Sequence, residues 1–261
     1  MKTIDLNGMV TIVTGGAGVI GGGIVRAFAE AGSKVYVADL NGEAADRFAA
    51  ELTEAGLRAQ GVVLDVGDCG MINRVVDDIA LREGRIDHLI NVAGMIISRP
   101  YMEADEADMV RTMEINLVSV DNMCRAVLRH MLPRKSGKIV NVASIAGRHG
   151  GDLLAQYSAS KFAEIGLTQS IALAVAKENI NVNAICPGFI MSPIQVKLVE
   201  ERARADGKTM DDIWAVQNAR IPMGRFQTGE DMGNACLFLA SDMARNITGQ
   251  ALNVDGGIRL N

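Results

Sequence analysis

The chain has 261 residues, with 26 Lys and Arg against 31 Asp and Glu and a formal net charge of −5. Apolar residues make up 49% of it, which excludes a disordered polypeptide, and aromatics only 4%, so its core must come from Ala, Val, Ile, Leu and the 14 Met. An acidic chain without a Lys/Arg cluster argues against nucleic acid as a partner, and no apolar run approaches the roughly 18 residues of a membrane span.

The first strand-like run, residues 10–14, leads into a glycine-rich turn and a helical pattern at 20–31. Runs at 34–38 and 59–64 follow, with a helical pattern at 42–55 between them and another at 68–83 before a run at 88–91. Long helical patterns at 107–132 and 155–177 flank a run at 138–142, and runs at 181–185 and 251–254 enclose a helix at 229–240. Strands alternating with helices of this length predict βαβ units. Runs such as 10–13 and 139–142 are apolar without alternation, as strands buried on both faces require. The prediction is one doubly wound Rossmann-type α/β domain over residues 1–261, with a parallel sheet of about seven strands. Residues 192–227 break the rhythm: they are polar, helix-prone and contain the only Trp, Trp214. An insertion there, beside the carboxyl ends of the strands, predicts a helical lid.

The first βα turn reads Val13-Thr14-Gly15-Gly16-Ala17-Gly18-Val19-Ile20-Gly21. Glycines at 15, 18 and 21, with Val19 and Ile20 opening the helix, suit a backbone that approaches a pyrophosphate at the helix N-terminus. Asp39 ends the second strand 18 residues beyond Gly21, where a carboxylate can accept from the adenosine ribose hydroxyls and so favours NAD. Its alternative reading is a helix cap, for which Asn41 is an equal candidate. Asp65 ends the third strand, placed for the adenine edge or for capping the next helix.

Ser144 follows the fifth strand, and Tyr157 and Lys161 lie four apart near the start of a helix, hence on one face. An ammonium beside a tyrosine favours the phenolate, which can then exchange a proton with a hydroxyl or carbonyl while a serine hydrogen-bonds the same oxygen. With the glycine loop, this set resembles the single-domain branch of the short-chain dehydrogenase/reductase family over essentially the whole chain. The matching motifs are Thr14-Gly15 to Gly21, Asn91-Val92-Ala93-Gly94, Asn116, Ser144, Tyr157/Lys161, Pro187-Gly188, Gly249-Gln250 and Asp255-Gly256-Gly257. The departures are Val19 where the family's pattern has glycine, Val92 in its Asn-Asn-Ala-Gly motif, and Ser192 in place of a more common Thr.

The resemblance implies that Tyr157 is the general acid/base, Ser144 the oxygen anchor, Lys161 the electrostatic tuner and ribose contact, and Asn116 the holder of a relay water. Asn91, Ala93 and Gly94 would shape the cofactor wall, Ile190 and Ser192 would meet the nicotinamide carboxamide, and Leu40, Val66, Pro187 and Gly188 complete the cofactor contacts. His149, Arg148, Leu154, Gly188 and Trp214 are candidates for substrate contact. His130 is expected to complement a helix C-terminus and His88 to be structural. Cys69, Cys124, Cys186 and Cys236 lie far apart, in neither a CxxC pair nor a metal-ligand spacing, so no metal is expected. The opening Met-Lys-Thr-Ile-Asp-Leu-Asn-Gly has no apolar core, which with the cysteine usage predicts a cytoplasmic protein. Apolar residues on more than one face of the helices at 116–132 and 155–176 predict burial in an assembly, for which the resemblance implies a homotetramer. The functional expectation is an NAD-dependent oxidoreductase acting on a polyol, sugar alcohol or diol. The alternatives are a 3-oxoacyl-carrier-protein reductase and a catalytically silent dinucleotide-binding regulator.

Overall fold

The computed structural model describes residues 4–260. Seven parallel strands form one sheet: β1 (Val10–Thr14), β2 (Lys34–Asp39), β3 (Ala59–Val63), β4 (His88–Asn91), β5 (Gly137–Val142), β6 (Ile180–Pro187) and β7 (Ala251–Val254). Their order is β3-β2-β1-β4-β5-β6-β7. The order therefore reverses between β1 and β4, and a crevice opens outside the carboxyl ends of these two strands, where Thr14 pairs with Asn91.

Helices cover both faces, so each central strand must be apolar on both sides. In β1, Val13 joins the core beneath α1 (Val19–Glu30), α2 (Gly42–Glu54) and α9 (Gly229–Ala240), with Phe28, Leu52 and Leu239. Its neighbours Val10 and Ile12 face the opposite core, with Ile72 and Val76 of α3 (Cys69–Glu83) and Met123 and Val127 of α5 (Ser119–Met131). Alternation survives in three dimensions although both faces are apolar. Helices α1 and α9 cross at glycines: a Cβ on Gly23 would lie 2.1 Å from the Gly229 carbonyl carbon. That contact gives Gly23 a packing reason separate from the phosphate loop.

The structure divides one predicted helix and fills the 192–227 segment with two helices, as its helix-prone sequence predicts. The single helix expected at 107–132 is two helices, α4 (Glu106–Met113) and α5, joined by a π-helical turn over Glu114–Val118. A π turn inserts one extra residue between the two helices, a local device that the apolar pattern at 107–132 does not announce. The 192–227 segment forms α7 (Pro193–Asp206) and α8 (Met210–Ala219), which share a small core of Val199, Ala203 and Ile213. The remaining long helix, α6 (Ala155–Val175), packs on β6 and leaves Phe162 and Leu173 exposed. No helix among the described residues is long and apolar enough to cross a membrane.

Candidate active site

The glycine loop is built by contacts that exclude side chains. Gly15 has φ +62°, and a Cβ on Gly21 would lie 2.1 Å from the Gly15 carbonyl oxygen. Helix α1 starts at Gly18 with neither a side-chain cap nor an acidic residue in its first turn, so its free N–H groups stay available to an anion. Val19 is 43% exposed. At that exposure the valine side chain stands outside the packed core. This cradle fits the pyrophosphate of a dinucleotide.

Asp39 lies against the same loop: Ala17 N–H donates to its carboxylate at 3.1 Å and Asn41 N–H at 3.0 Å. The cap of α2 is Asn41, which accepts from Ala44 N–H at 3.0 Å, and the cap of α3 is Asp68. Neither Asp39 nor Asp65 is therefore a helix cap. Asp65 accepts from Gly67 N–H at 2.7 Å, in the turn that also carries the half-buried Val66, while Leu40 is exposed.

Beyond β4, Val92 and Ala93 N–H both donate to Thr14 Oγ1, at 3.0 and 3.1 Å, fixing the second wall of the crevice. Asn91 turns inward instead, donating to Asn141 Oδ1 of β5 at 2.9 Å, and so supports this wall from behind. Asn116 sits in the π turn, fully buried. It accepts from Met95 N–H at 2.8 Å and donates to Met95 O at 2.9 Å and to Ser160 Oγ at 3.0 Å. These bonds leave one acceptor position on Oδ1 for the water that the resemblance implies. A Cβ on Gly94 would lie 3.2 Å from that Oδ1 and 3.8 Å from Lys161 Nζ, so Gly94, Asn116 and Lys161 converge.

Tyr157 and Lys161 share the inner face of α6 as predicted, with Nζ 5.9 Å from the tyrosine ring centroid. Lys161 donates to Val142 O at 2.9 Å and to Glu164 Oε2 at 2.7 Å, and both members of this ion pair are buried. Burial pulls the Lys161 ammonium down, but the facing Glu164 and Tyr157 more than offset this and hold it above the usual lysine range. Burial pushes the Glu164 carboxyl up, against the attraction of Lys161. Ser144 starts the 3₁₀ turn Ile145–Gly147, its Oγ accepting from Ala146 N–H at 3.0 Å and keeping its own hydrogen for another partner. A tyrosine beside a buried ammonium, with a serine hydroxyl on the adjoining strand end, can move a proton to or from an alcohol oxygen.

A cleft of about 360 Å³ opens between Gly94–Arg99 and α7, lined by the apolar Ile96, Ile97, Ile194 and Leu198 and by the polar Ser98, Arg99, Lys197 and Glu201. Ser192 caps α7, accepting from Gln195 N–H at 3.2 Å, and Ile190 bridges to Gln227. Buried Pro187 ends β6, and Gly188 follows it so closely packed that a Cβ would meet Gln227 Oε1 at 2.5 Å. An Arg202–Asp152 bridge of 2.7 Å ties α7 to the loop before α6, which also carries the half-buried Leu154. Trp214 packs edge-on against Phe226 at 5.5 Å, next to the lid's own core. Arg148 turns away to Ala251 O and Asn253 of β7, so it is not free to meet substrate as expected. His149 bonds Ile145 O at 2.9 Å. His130 lies in the last turn of α5, where a residue complementing the helix C-terminus is expected, and it also reaches Asp77 of α3 at 2.8 Å. His88 is buried and bonds Thr11 Oγ1 at 3.0 Å. Among the described residues no group of three or more His, Cys, Asp or Glu could hold a metal ion, and all four cysteines are free thiols.

Residues 15–259 match a family model described as Enoyl-(Acyl carrier protein) reductase. The chain belongs to the short-chain dehydrogenase/reductase family. It is 39% identical to galactitol 2-dehydrogenase of Agrobacterium fabrum over 253 residues, covering 97% of this chain and 98% of that one. It is 36% identical to the 3-oxoacyl-[acyl-carrier-protein] reductase FabG of Thermotoga maritima, with the same coverage. NAD+-bound xylitol dehydrogenase superposes with a TM-score of 0.93 at 32% identity, over 97% of this chain and 99% of that one. An actinorhodin polyketide ketoreductase with NADPH superposes at 0.92, at 32% identity over 96% and 97%. This short-chain dehydrogenase/reductase is thus an oxidoreductase of secondary alcohols and ketones that uses a nicotinamide dinucleotide. Sequence reasoning does not single out Glu164 or Ser160. The three-residue step from Lys161 to Glu164, one helical turn, is the signal that could have found the first.

Proposed function

We propose that this enzyme oxidises a polyol, sugar alcohol or diol with NAD+ as hydride acceptor, and catalyses the reverse reduction. The carrying observation is Asp39, half-buried at the carboxyl end of β2 and fixed by the N–H groups of Ala17 and Asn41. A carboxylate held there accepts from ribose hydroxyls and repels a 2′-phosphate. No Lys or Arg lies in the glycine loop or directly after Asp39 to neutralise it.

A bound nicotinamide dinucleotide supplies the hydride acceptor or donor. The chain's own residues do the rest. Tyr157 is the acid/base that takes the alcohol proton, Ser144 Oγ–H holds the same oxygen, and Lys161 keeps positive charge beside the phenolate. Asn116 clasps the loop after β4 to α6, so the cofactor wall and the acid/base share one frame. Gly15, Gly18, Gly21, Asp65, Ala93 and Gly94 line the cofactor side, and Pro187, Gly188, Ile190 and Ser192 lead from it into α7, which with α8 closes the substrate side as a lid. The exposed Phe162 and Leu173 of α6 and Leu252 of β7 support a homotetramer.

A second reading, reduction of a 3-oxoacyl thioester, is supported by the apolar walls of the cleft, Ile96, Ile97, Ile194 and Leu198. Steady-state turnover with sugar alcohols, diols and acetoacyl thioesters, each with both cofactors, separates the two. Polyol turnover with NAD+ supports the first reading, and turnover confined to the thioester with NADPH supports the second.

A further inference from the structure

We propose that Glu164 is a positioning residue of this site: its carboxylate anchors the Lys161 ammonium against Val142 O and thereby sets how strongly that cation favours the Tyr157 phenolate. The inference rests on the acid/base reading of Tyr157 and Lys161 given above.

Three observations carry it. The ion pair is short, 2.7 Å, and its side chains are only 5% and 1% exposed. Burying two charges is costly, and an apolar pair of similar size usually serves stability as well or better. The second carboxylate oxygen, Glu164 Oε1, is buried without a hydrogen-bond partner among the described residues. A buried carboxylate oxygen without a protein partner is costly, so stability alone does not account for this charge. Finally, the same Nζ that meets Glu164 Oε2 at 2.7 Å lies 5.9 Å from the Tyr157 ring centroid, so the pair stands beside the reacting tyrosine.

The other titratable groups facing the pair are Cys186 of β6, with Arg148 beyond it, and Cys124 of α5. Burial pushes both thiols up, Cys124 to about 12, so neither supplies a negative charge at neutral pH. Glu164 is then the anion that sets the net field of this pocket. With it, Lys161 acts on Tyr157 as half of an ion pair. Without it, the buried ammonium keeps Tyr157 as its remaining counter-charge and favours the phenolate more strongly.

Ring-labelled tyrosine NMR on the apo-protein reads this directly, since the chain has only 3 tyrosines and Tyr157→Phe assigns the resonance. In Glu164→Gln the midpoint of the Tyr157 titration falls by about one pH unit relative to the unmodified protein, the scale of one nearby charge. Glu164→Asp keeps the charge and stays close to the parent midpoint. Glu164→Met, apolar and of similar length, carries the same expectation should the glutamine variant not fold. Coincident titrations of the parent and the uncharged variants, or an aspartate variant shifted as far as glutamine, overturns the proposal. Failure of the acid/base reading shows elsewhere, as turnover retained in Tyr157→Phe, and leaves the titration interpretable.

Discussion

Asp39→Asn should convert cofactor discrimination from a charge effect into a weak steric one. In the parent, the carboxylate is held in place by two backbone N–H groups, 3.1 and 3.0 Å away, and cannot swing clear of a 2′-phosphate without breaking both bonds. Two unit charges about 4 Å apart repel by about 1 kcal/mol in water and about 4 kcal/mol at an effective dielectric of 20. Asp39 is half-buried, between those limits, and 1.4 kcal/mol is a factor of about 10, so NAD should be preferred by roughly 10²-fold in kcat/KM. Asparagine retains one carbonyl oxygen for the Ala17 or Asn41 N–H but removes the charge. The KM for NADP should then fall, with most of the gap closed, while kcat with NAD changes little. Initial rates followed by nicotinamide absorbance, across concentrations of both cofactors, measure this at two ionic strengths; added salt should weaken the parent's discrimination only modestly at a partly buried site. Equal kcat/KM for the two cofactors in the unmodified enzyme refutes the placement of Asp39 at the ribose.

Other outcomes follow from single contacts. Tyr157→Phe should lower kcat by about 10²–10⁴ with an unchanged melting curve, and circular dichroism with steady-state rates checks both. Gly21→Ala places a methyl 2.1 Å from a backbone oxygen, so it should lower Tm and weaken dinucleotide binding measured by fluorescence titration. Burial holds the His88 imidazole down at about 4 against an ordinary 6.5. The unfolded chain therefore binds the extra proton first, and about 3 kcal/mol of stability, fully present above pH 6.5, is lost as pH falls from 6.5 toward 4. Urea unfolding across that window should show this slope in the parent and a flatter one in His88→Gln. Asp152→Ala removes the exposed bridge to Arg202, worth about 0.2–1 kcal/mol, and should raise hydrogen exchange in α7 with little effect on global stability.

Much of this architecture is legible in the chain because local patterns suffice for it. The strand β1, the glycine turn and α1 follow from an apolar run, tight glycines and a helix start, and Tyr157 and Lys161 fall on one face through helical spacing alone. What escapes is set by tertiary contacts. The π turn at 114–118, where Asn116 meets Met95, has no turn signal of its own in the sequence. Arg148 reads as a candidate for substrate contact until β7 supplies its acceptors. Gly23 carries no signal in the sequence, and its packing role appears only where α9 crosses it. Trp214 reads as pocket cover, or as packing within the lid or at a subunit contact, and its contact with Phe226 appears only once α8 is folded. Glu164 was visible at the right spacing, but an ionisable residue one turn from Lys161 is ordinary on an exposed helix, and only its burial gives it meaning.

The most direct measurement is NAD+ reduction by the purified enzyme against sugar alcohols and vicinal diols, run beside Tyr157→Phe. The account predicts turnover of at least one such alcohol with NAD+, and its loss in the phenylalanine variant. Absence of turnover with every secondary alcohol, or turnover confined to acetoacyl thioesters with NADPH, would contradict it.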